Sequence, residues 1–322
     1  MLTMEPIGGY FELELRKGEH FHNNALRLNT ARNCFEFVLR ARNCKTVYIP
    51  YYTCEAMLEP ILKLGIGFQY YHINDMFEPI SLPVLGPDEV FLYTNYFGLK
   101  QDCVRRLANH YGKQLIIDNA QAFYAKPLDG IDTFYSARKF FGVADGAFLF
   151  SNKRPVTDIV ESDVSYDRMS HLLKRIDLGA EAGFMDFRGD EALLAHQEIK
   201  YMSRLTESIL LSIDFETIKN TRRHNYSILD KALRHSNQLH LIMDDEAVPM
   251  VYPYISNELA LKQRLVEEKV FVATYWPNVI DWCKGQGIEC TVTEKASFLP
   301  IDQRYGEKEM TIIADIINQK TR

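Results

Sequence analysis

Lys139 sits in the run Asp132-Thr133-Phe134-Tyr135-Ser136-Ala137-Arg138-Lys139-Phe140-Phe141-Gly142-Val143-Ala144-Asp145-Gly146, between the end of a strand and a glycine-containing loop. Two phenylalanines and a glycine directly after it are a poor setting for a solvated charge. In an apolar, partly dry site the pKa of the amine falls, which a lysine forming a Schiff base with a carbonyl requires. A loop lysine whose stem passes two phenylalanines on its way to water would account for the same residues.

Asp118 follows the apolar run Leu115-Ile116-Ile117 and opens Asp118-Asn119-Ala120-Gln121-Ala122-Phe123. Open α/β sheets meet their ligands at the C-terminal ends of buried parallel strands. A carboxylate placed there can accept a charge-assisted hydrogen bond from a protonated ring nitrogen. An aspartate that N-caps a following helix is equally natural on local grounds. Asn29-Thr30-Ala31-Arg32-Asn33 precedes the apolar-periodic run Cys34 to Leu39, and the N–H groups of a helix start suit a phosphate. Plain N-capping by Asn29 or Thr30 explains it too. Ser136, three residues before Lys139, is close enough to serve the same phosphate, or is a serine at a strand end.

The elements that must position these groups alternate. Thr46 to Pro50, Phe68 to Ile73, Glu89 to Thr94 and Gln114 to Ile117 read as strands, with helices at 55–64, closed by Gly65, and 102–111, closed by Gly112. Phe134 to Ser136 and Ala147 to Phe150 read as two more strands. That alternation predicts an α/β layer with a mostly parallel central sheet flanked by helices. Residues 155–235 are helical in character. Residues 248–256 open a smaller α+β unit with a helix at 257–268, a strand at 270–272 and a final helix at 307–319. The division is a large domain at 1–225, including an N-terminal extension at 1–25, and a small C-terminal domain at 226–322.

Composition removes several classes. The chain has 322 residues, a net charge of −6 and scattered basic residues, which argues against a nucleic-acid partner. No stretch reaches the ~20 apolar residues of a membrane span, and the start lacks a signal peptide's pattern. The six cysteines show neither Cys-x-x-Cys nor partner histidines at metal spacing, so reduced thiols in a cytoplasmic protein without a metal are expected. There is no Gly-x-Gly-x-x-Gly and no phosphate-loop lysine motif to support an unrelated nucleotide-binding enzyme.

Taken in order, a polar helix start, a strand ending in Pro50-Tyr51-Tyr52-Thr53, a strand ending at Asp118 and Ser-x-x-Lys form one constellation. It meets the needs of pyridoxal 5'-phosphate (PLP) catalysis: an amine for the imine, an acid partner for the pyridine nitrogen, a phosphate cradle and a surface against the ring.

The constellation resembles the fold-type I PLP enzymes and, within them, the DegT/StrS sugar aminotransferases. Leu28 to Asn33 is similar to that family's phosphate-binding turn, and Val47 to Thr53 to its V-x-x-P-x-x-T strand and loop. Asp118-Asn119-Ala120-Gln121-Ala122 resembles its D-x-A-Q-A segment, in which the aspartate pairs with the pyridine nitrogen and the glutamine lies by the ring. Ser136 to Gly146 resembles the run that holds the imine lysine. Arg222-Arg223-His224-Asn225-Tyr226, Thr274-Tyr275-Trp276-Pro277 and Leu299-Pro300-Ile301-Asp302 look like its small-domain signposts.

The resemblance implies a homodimer with active sites at the subunit interface. It also implies amino transfer from glutamate or glutamine to a keto-sugar, usually nucleotide-linked, in surface-polysaccharide or related biosynthesis. Lys139 would hold the cofactor and then move the proton. Where the family has an aromatic residue over the ring this chain has Cys54, so the stacking role passes to Tyr52 or Tyr96. The family's G-x-N-x-R loop corresponds to Lys200-Tyr201-Met202-Ser203-Arg204, with Ser203 in place of the asparagine that reaches the partner's phosphate. Sugar dehydratases of this fold replace the lysine with histidine, so Lys139 favours transamination. A degenerate member kept as a binding or regulatory protein is the alternative from another class.

Overall fold

The computed structural model describes residues 7–153 and 159–319. Its first half contains β1 (Leu26–Leu28), α1 (Ala31–Arg42), β2 (Thr46–Pro50), α2 (Leu58–Lys63), β3 (Gly67–Tyr71), β4 (Glu89–Thr94), α3 (Gln101–Tyr111), β5 (Leu115–Asn119), β6 (Asp132–Ser136) and β7 (Ala147–Phe150). The helices α4 (Ser170–Asp177), α5 (Phe184–Leu193), α6 (Arg204–Leu211) and α7 (Phe215–Leu233) follow. The chain ends with β8 (Val251–Tyr254), α8 (Leu261–Glu267), α9 (Asn278–Trp282), α10 (Gly287–Lys295), β9 (Ser297–Pro300) and α11 (Glu307–Asn318).

Seven strands form one sheet in the order β1-β7-β6-β5-β4-β2-β3. The pairs from β3 through β6 are parallel, and β7 is antiparallel to both β6 and β1. The expectation of a mostly parallel sheet holds. Strands β5 and β6 are buried at every position, as strands covered on both faces must be. Their residues feed two apolar cores. Phe35, Val38, Ile49 and Leu92 pack with α1 on one side, while Phe91, Tyr93 and Ile117 face α3 and the C-terminal half on the other.

Local sequence explains several boundaries. Thr30 caps α1 by accepting from the N–H of Asn33 at 3.1 Å, and Asn43 ends it in the left-handed region. Gly112 terminates α3 with φ +52.

One expectation needs correction, and two strands were not anticipated. Residues 270–272 are not a strand, because only Ala273 comes into register with the sheet, bridging Phe298. The antiparallel partner of β8 is β9, a short segment whose pattern gave no clear strand signal. The residues before α1 are largely irregular, yet Leu26–Leu28 closes the sheet edge as β1. The middle stretch is four helices separated by irregular segments, and residues 154–158 of it lie outside the described residues.

Helix α7 crosses the proposed domain boundary and packs against β8 and α11. Asn225 on it donates to the carbonyls of Ile301 at 3.2 Å and Tyr305 at 2.9 Å. By its contacts this helix is shared between the two units.

Candidate active site

Register puts the first acid in place. Asp118 is paired with Thr94 on β4 and Phe134 on β6, so three parallel strands present their C-terminal ends together. Its side chain is 5% exposed. One carboxylate oxygen accepts from the N–H of Ala120 at 2.8 Å, and the other from the hydroxyl of Thr94 at 3.4 Å. Burial raises the pKa of Asp118, and the positive charge of Lys139 is the largest influence in the opposite direction. Asp118 near the end of β5 and Lys139 just beyond the end of β6 thus lie at the same end of two neighbouring parallel strands.

Lys139 does not lie in the dry setting expected from its neighbours. It is exposed, while Phe140 and Phe141 are buried. The reason is a tight turn after β6, in which the N–H groups of Phe140 and Phe141 both reach the carbonyl of Ala137. The rings of both pack on Phe123 inside the core, and the lysine side chain is left exposed. Its Nζ stands 5.8 Å from the centre of the Trp276 ring.

Gln121 is fully buried. Its Oε1 accepts from the N–H of Phe97 at 2.9 Å, which holds Phe97 at its positive φ of 58. Its Nε2 has no hydrogen-bond partner among the described residues, and neither has the hydroxyl of Tyr52. Buried polar atoms without partners are costly and mark places where a bound group completes the bonding.

Tyr52 and Tyr96, the expected stacking residues, have no accessible face. Both are 0% exposed in an aromatic cluster with Phe77, and the Tyr96 hydroxyl donates to the Tyr52 carbonyl at 2.8 Å. Their size and their place at strand ends drew them into the core instead.

The helix start is engaged within the chain. Thr30 is the N-cap residue, and Asn29 donates to the carbonyl of Glu198 at 3.1 Å. Ala31 begins α1 beside them. The constellation is nonetheless gathered, because the N–H of Gly146 reaches the carbonyl of Asn29 at 2.6 Å and the N–H of Ala137 reaches that of Gly146 at 3.0 Å. Ser136 ends β6 opposite Ala147, next to this junction. Gly146 is required there. It has φ +109, and a Cβ would meet Thr206 Cγ2 at 2.9 Å.

Ser203 is the clearest departure. It is 1% exposed and caps α6, and its N–H and hydroxyl donate to Asp145 at 2.8 and 2.7 Å. Thr206 donates to the same carboxylate. Ser203 is engaged within the chain by this network, and its hydroxyl also meets that of Ser165 at 2.7 Å.

Sequence reading missed Thr94, Gln303 and Asn278. Thr94 could have been found by aligning parallel strands beside Asp118. Gln303 donates to the Phe140 carbonyl at 2.8 Å, and Asn278 to the Thr53 carbonyl at 3.0 Å. No local pattern announces either.

The geometry has counterparts among solved structures. Sugar aminotransferase CalS13 from Micromonospora echinospora superposes with a TM-score of 0.62 at 14% identity, over 92% of this chain and 87% of that one. DesV from S. venezuelae gives 0.65 at 13%, over 92% and 85%. The fold is that of the sugar aminotransferases. An E. coli GDP-4-keto-6-deoxy-D-mannose-3-dehydratase with bound hydrated PLP shares it, with a TM-score of 0.62 at 10% identity over 91% of this chain and 87% of that one. No family model and no curated protein matches the sequence. Among the described residues no helix is long and apolar enough to cross a membrane.

Proposed function

We propose that the chain is a PLP-dependent aminotransferase acting on a keto-sugar, nucleotide-linked, with glutamate or glutamine as amino donor. The observation that carries this reading is a buried carboxylate and an exposed lysine amine at and just beyond the C-terminal ends of two neighbouring strands in a sheet of this fold. The residues suit the cofactor. Asp118 would pair with a cationic ring nitrogen, and burial strengthens it as a base. Gln121 and Tyr52 offer unfilled polar atoms nearby. When bound, PLP supplies an electron sink that lets an amino group and a proton move between two carbonyl compounds. Lys139 would hold its aldehyde and carry the proton, and the Asn29–Ala31 turn with Ser136 would face its phosphate.

The lysine favours amino transfer over the dehydratase reaction of one structural neighbour. A second copy of the chain would complete a homodimer. What supports this is an apolar face on α4 and α5, where Leu173, Ile176, Phe184, Met185 and Leu193 are all exposed.

The test is uptake of PLP by purified protein, followed by borohydride reduction, peptide mapping and addition of glutamate. A yellow protein that labels at Lys139 and is bleached to the amine form by glutamate is expected. A colourless protein, or label on another lysine, rejects the enzyme in favour of a binding or regulatory role.

A further inference from the structure

We propose that Trp276, carried by the small C-terminal unit, is the aromatic wall of the Lys139 site and the surface against which the pyridine ring rests. The inference depends on the PLP reading above and adds a residue to it. Four observations support it.

The indole is the aromatic ring that meets the reactive amine. At 5.8 Å from its centre, the Lys139 Nζ lies within the range of attraction between an ammonium and an electron-rich ring face. A protonated pyridine ring is drawn to such a face for the same electrostatic reason.

Trp276 is half-buried, as is Tyr275 beside it, while five rings behind them are closed off. Tyr52, Tyr96, Phe77, Phe97 and Phe123 are all fully buried. A surface that receives a ligand must keep one side open, and Trp276 does.

The ring is fixed from behind. It rests on Tyr52 at 5.0 Å and on Tyr275 at 5.5 Å, and Tyr275 leans on Phe298 at 4.6 Å. A rigid backing lowers the ordering cost of stacking a ligand.

Finally, the segment bearing it is pinned to the loop beside the site. Asn278 donates to the Thr53 carbonyl at 3.0 Å, and the next residue, Cys54, carries no ring. The C-terminal segment thus brings a partly exposed aromatic side chain beside Cys54, where the chain's own loop carries no ring.

The test is titration of the full-length protein with PLP, followed by absorbance, in Trp276→Phe, Trp276→Leu and the control Trp282→Ala. Trp282 packs on Tyr70 at 5.2 Å, away from Lys139. Stacking of a flat ring on an aromatic residue contributes ~1–3 kcal/mol, which predicts a loss of PLP affinity of about 5- to 150-fold in Trp276→Leu. Trp276→Phe should stay within about 3-fold of the parent, since a ring face remains. Cys54→Phe added to Trp276→Leu should recover affinity. Should the leucine variant fail to fold, Trp276→Met is read in the same way. Parental affinity in a folded Trp276→Leu, with Lys139 still labelled by borohydride, overturns the inference and leaves the PLP reading intact. A parent protein that takes up no PLP overturns both.

Discussion

Ser203 grips Asp145 twice, through its backbone N–H at 2.8 Å and its hydroxyl at 2.7 Å. The carboxylate is fully buried and is answered by hydroxyls and an amide. Removing one donor from a buried carboxylate leaves part of its desolvation uncompensated, and the cap of α6 is lost as well. Ser203→Ala should therefore destabilise the protein by about 1–3 kcal/mol, read as a lower urea midpoint. PLP affinity in the folded variant should remain unchanged. A selective loss of PLP binding without loss of stability would return Ser203 to the role of a phosphate ligand.

Asp118→Asn keeps the shape of the side chain and the bond from Ala120, and removes the charge. A charge-assisted hydrogen bond contributes ~1.5–3 kcal/mol, so PLP should bind about 10- to 100-fold more weakly. Conversion of the bound cofactor to its amine form by glutamate should fall further, because an uncharged partner no longer keeps the ring nitrogen protonated. Near-parental conversion in stopped-flow absorbance would remove Asp118 from the chemistry.

The parallel half of the fold was legible because its signals are local. Buried strands read as unbroken apolar runs, and glycines at positions 65 and 112 stop helices with positive φ. The placement of Asp118 and Lys139 at strand ends was legible for the same reason, each standing among a few distinctive neighbours. The orientation of Lys139 was not. Phenylalanines at 140 and 141 suggested a dry pocket, yet the turn at Ala137 sends both rings inward and the amine outward. The burial of Tyr52 and Tyr96 was not legible either, since a ring at a strand end fits a core as well as a ligand. Ser203 was hidden by distance, because its partner Asp145 lies far back in the sequence. The small unit was read least well. Its two strands are short, and β-branched residues at 270–272 looked more like a strand than β9 does.

Arg222 ties the lysine turn to the small unit. It is 2% exposed, its guanidinium reaches the carbonyls of Met250 at 3.0 Å and Phe140 at 3.4 Å, and its Nε donates to Gln303 at 3.2 Å. Burial lowers its pKa to about 10, so it stays charged at neutral pH. A lysine keeps the charge but cannot span three acceptors on different elements. Arg222→Lys should cost about 2 kcal/mol or more, measured by urea denaturation. An unchanged midpoint would mean that these contacts are not what joins the two units.

His22 gives the fold a dependence on acid. Its ring is buried against Phe123, Tyr135 and Phe148, and its Nε2 donates to the Phe123 carbonyl at 2.8 Å. Burial lowers its pKa from 6.5 to about 4, so the folded protein holds it neutral while the unfolded chain protonates it more readily. Its contribution to stability is complete above pH 6.5 and declines as the pH falls toward 4, by on the order of 3 kcal/mol in all. Urea midpoints at pH 7 and pH 4.5 should differ more for the parent than for His22→Gln, which can still donate to the Phe123 carbonyl without gaining a charge. Equal pH dependence in the two proteins would show that protonation of the ring is tolerated within the aromatic cluster, and the acid sensitivity would then have to come from the carboxylates.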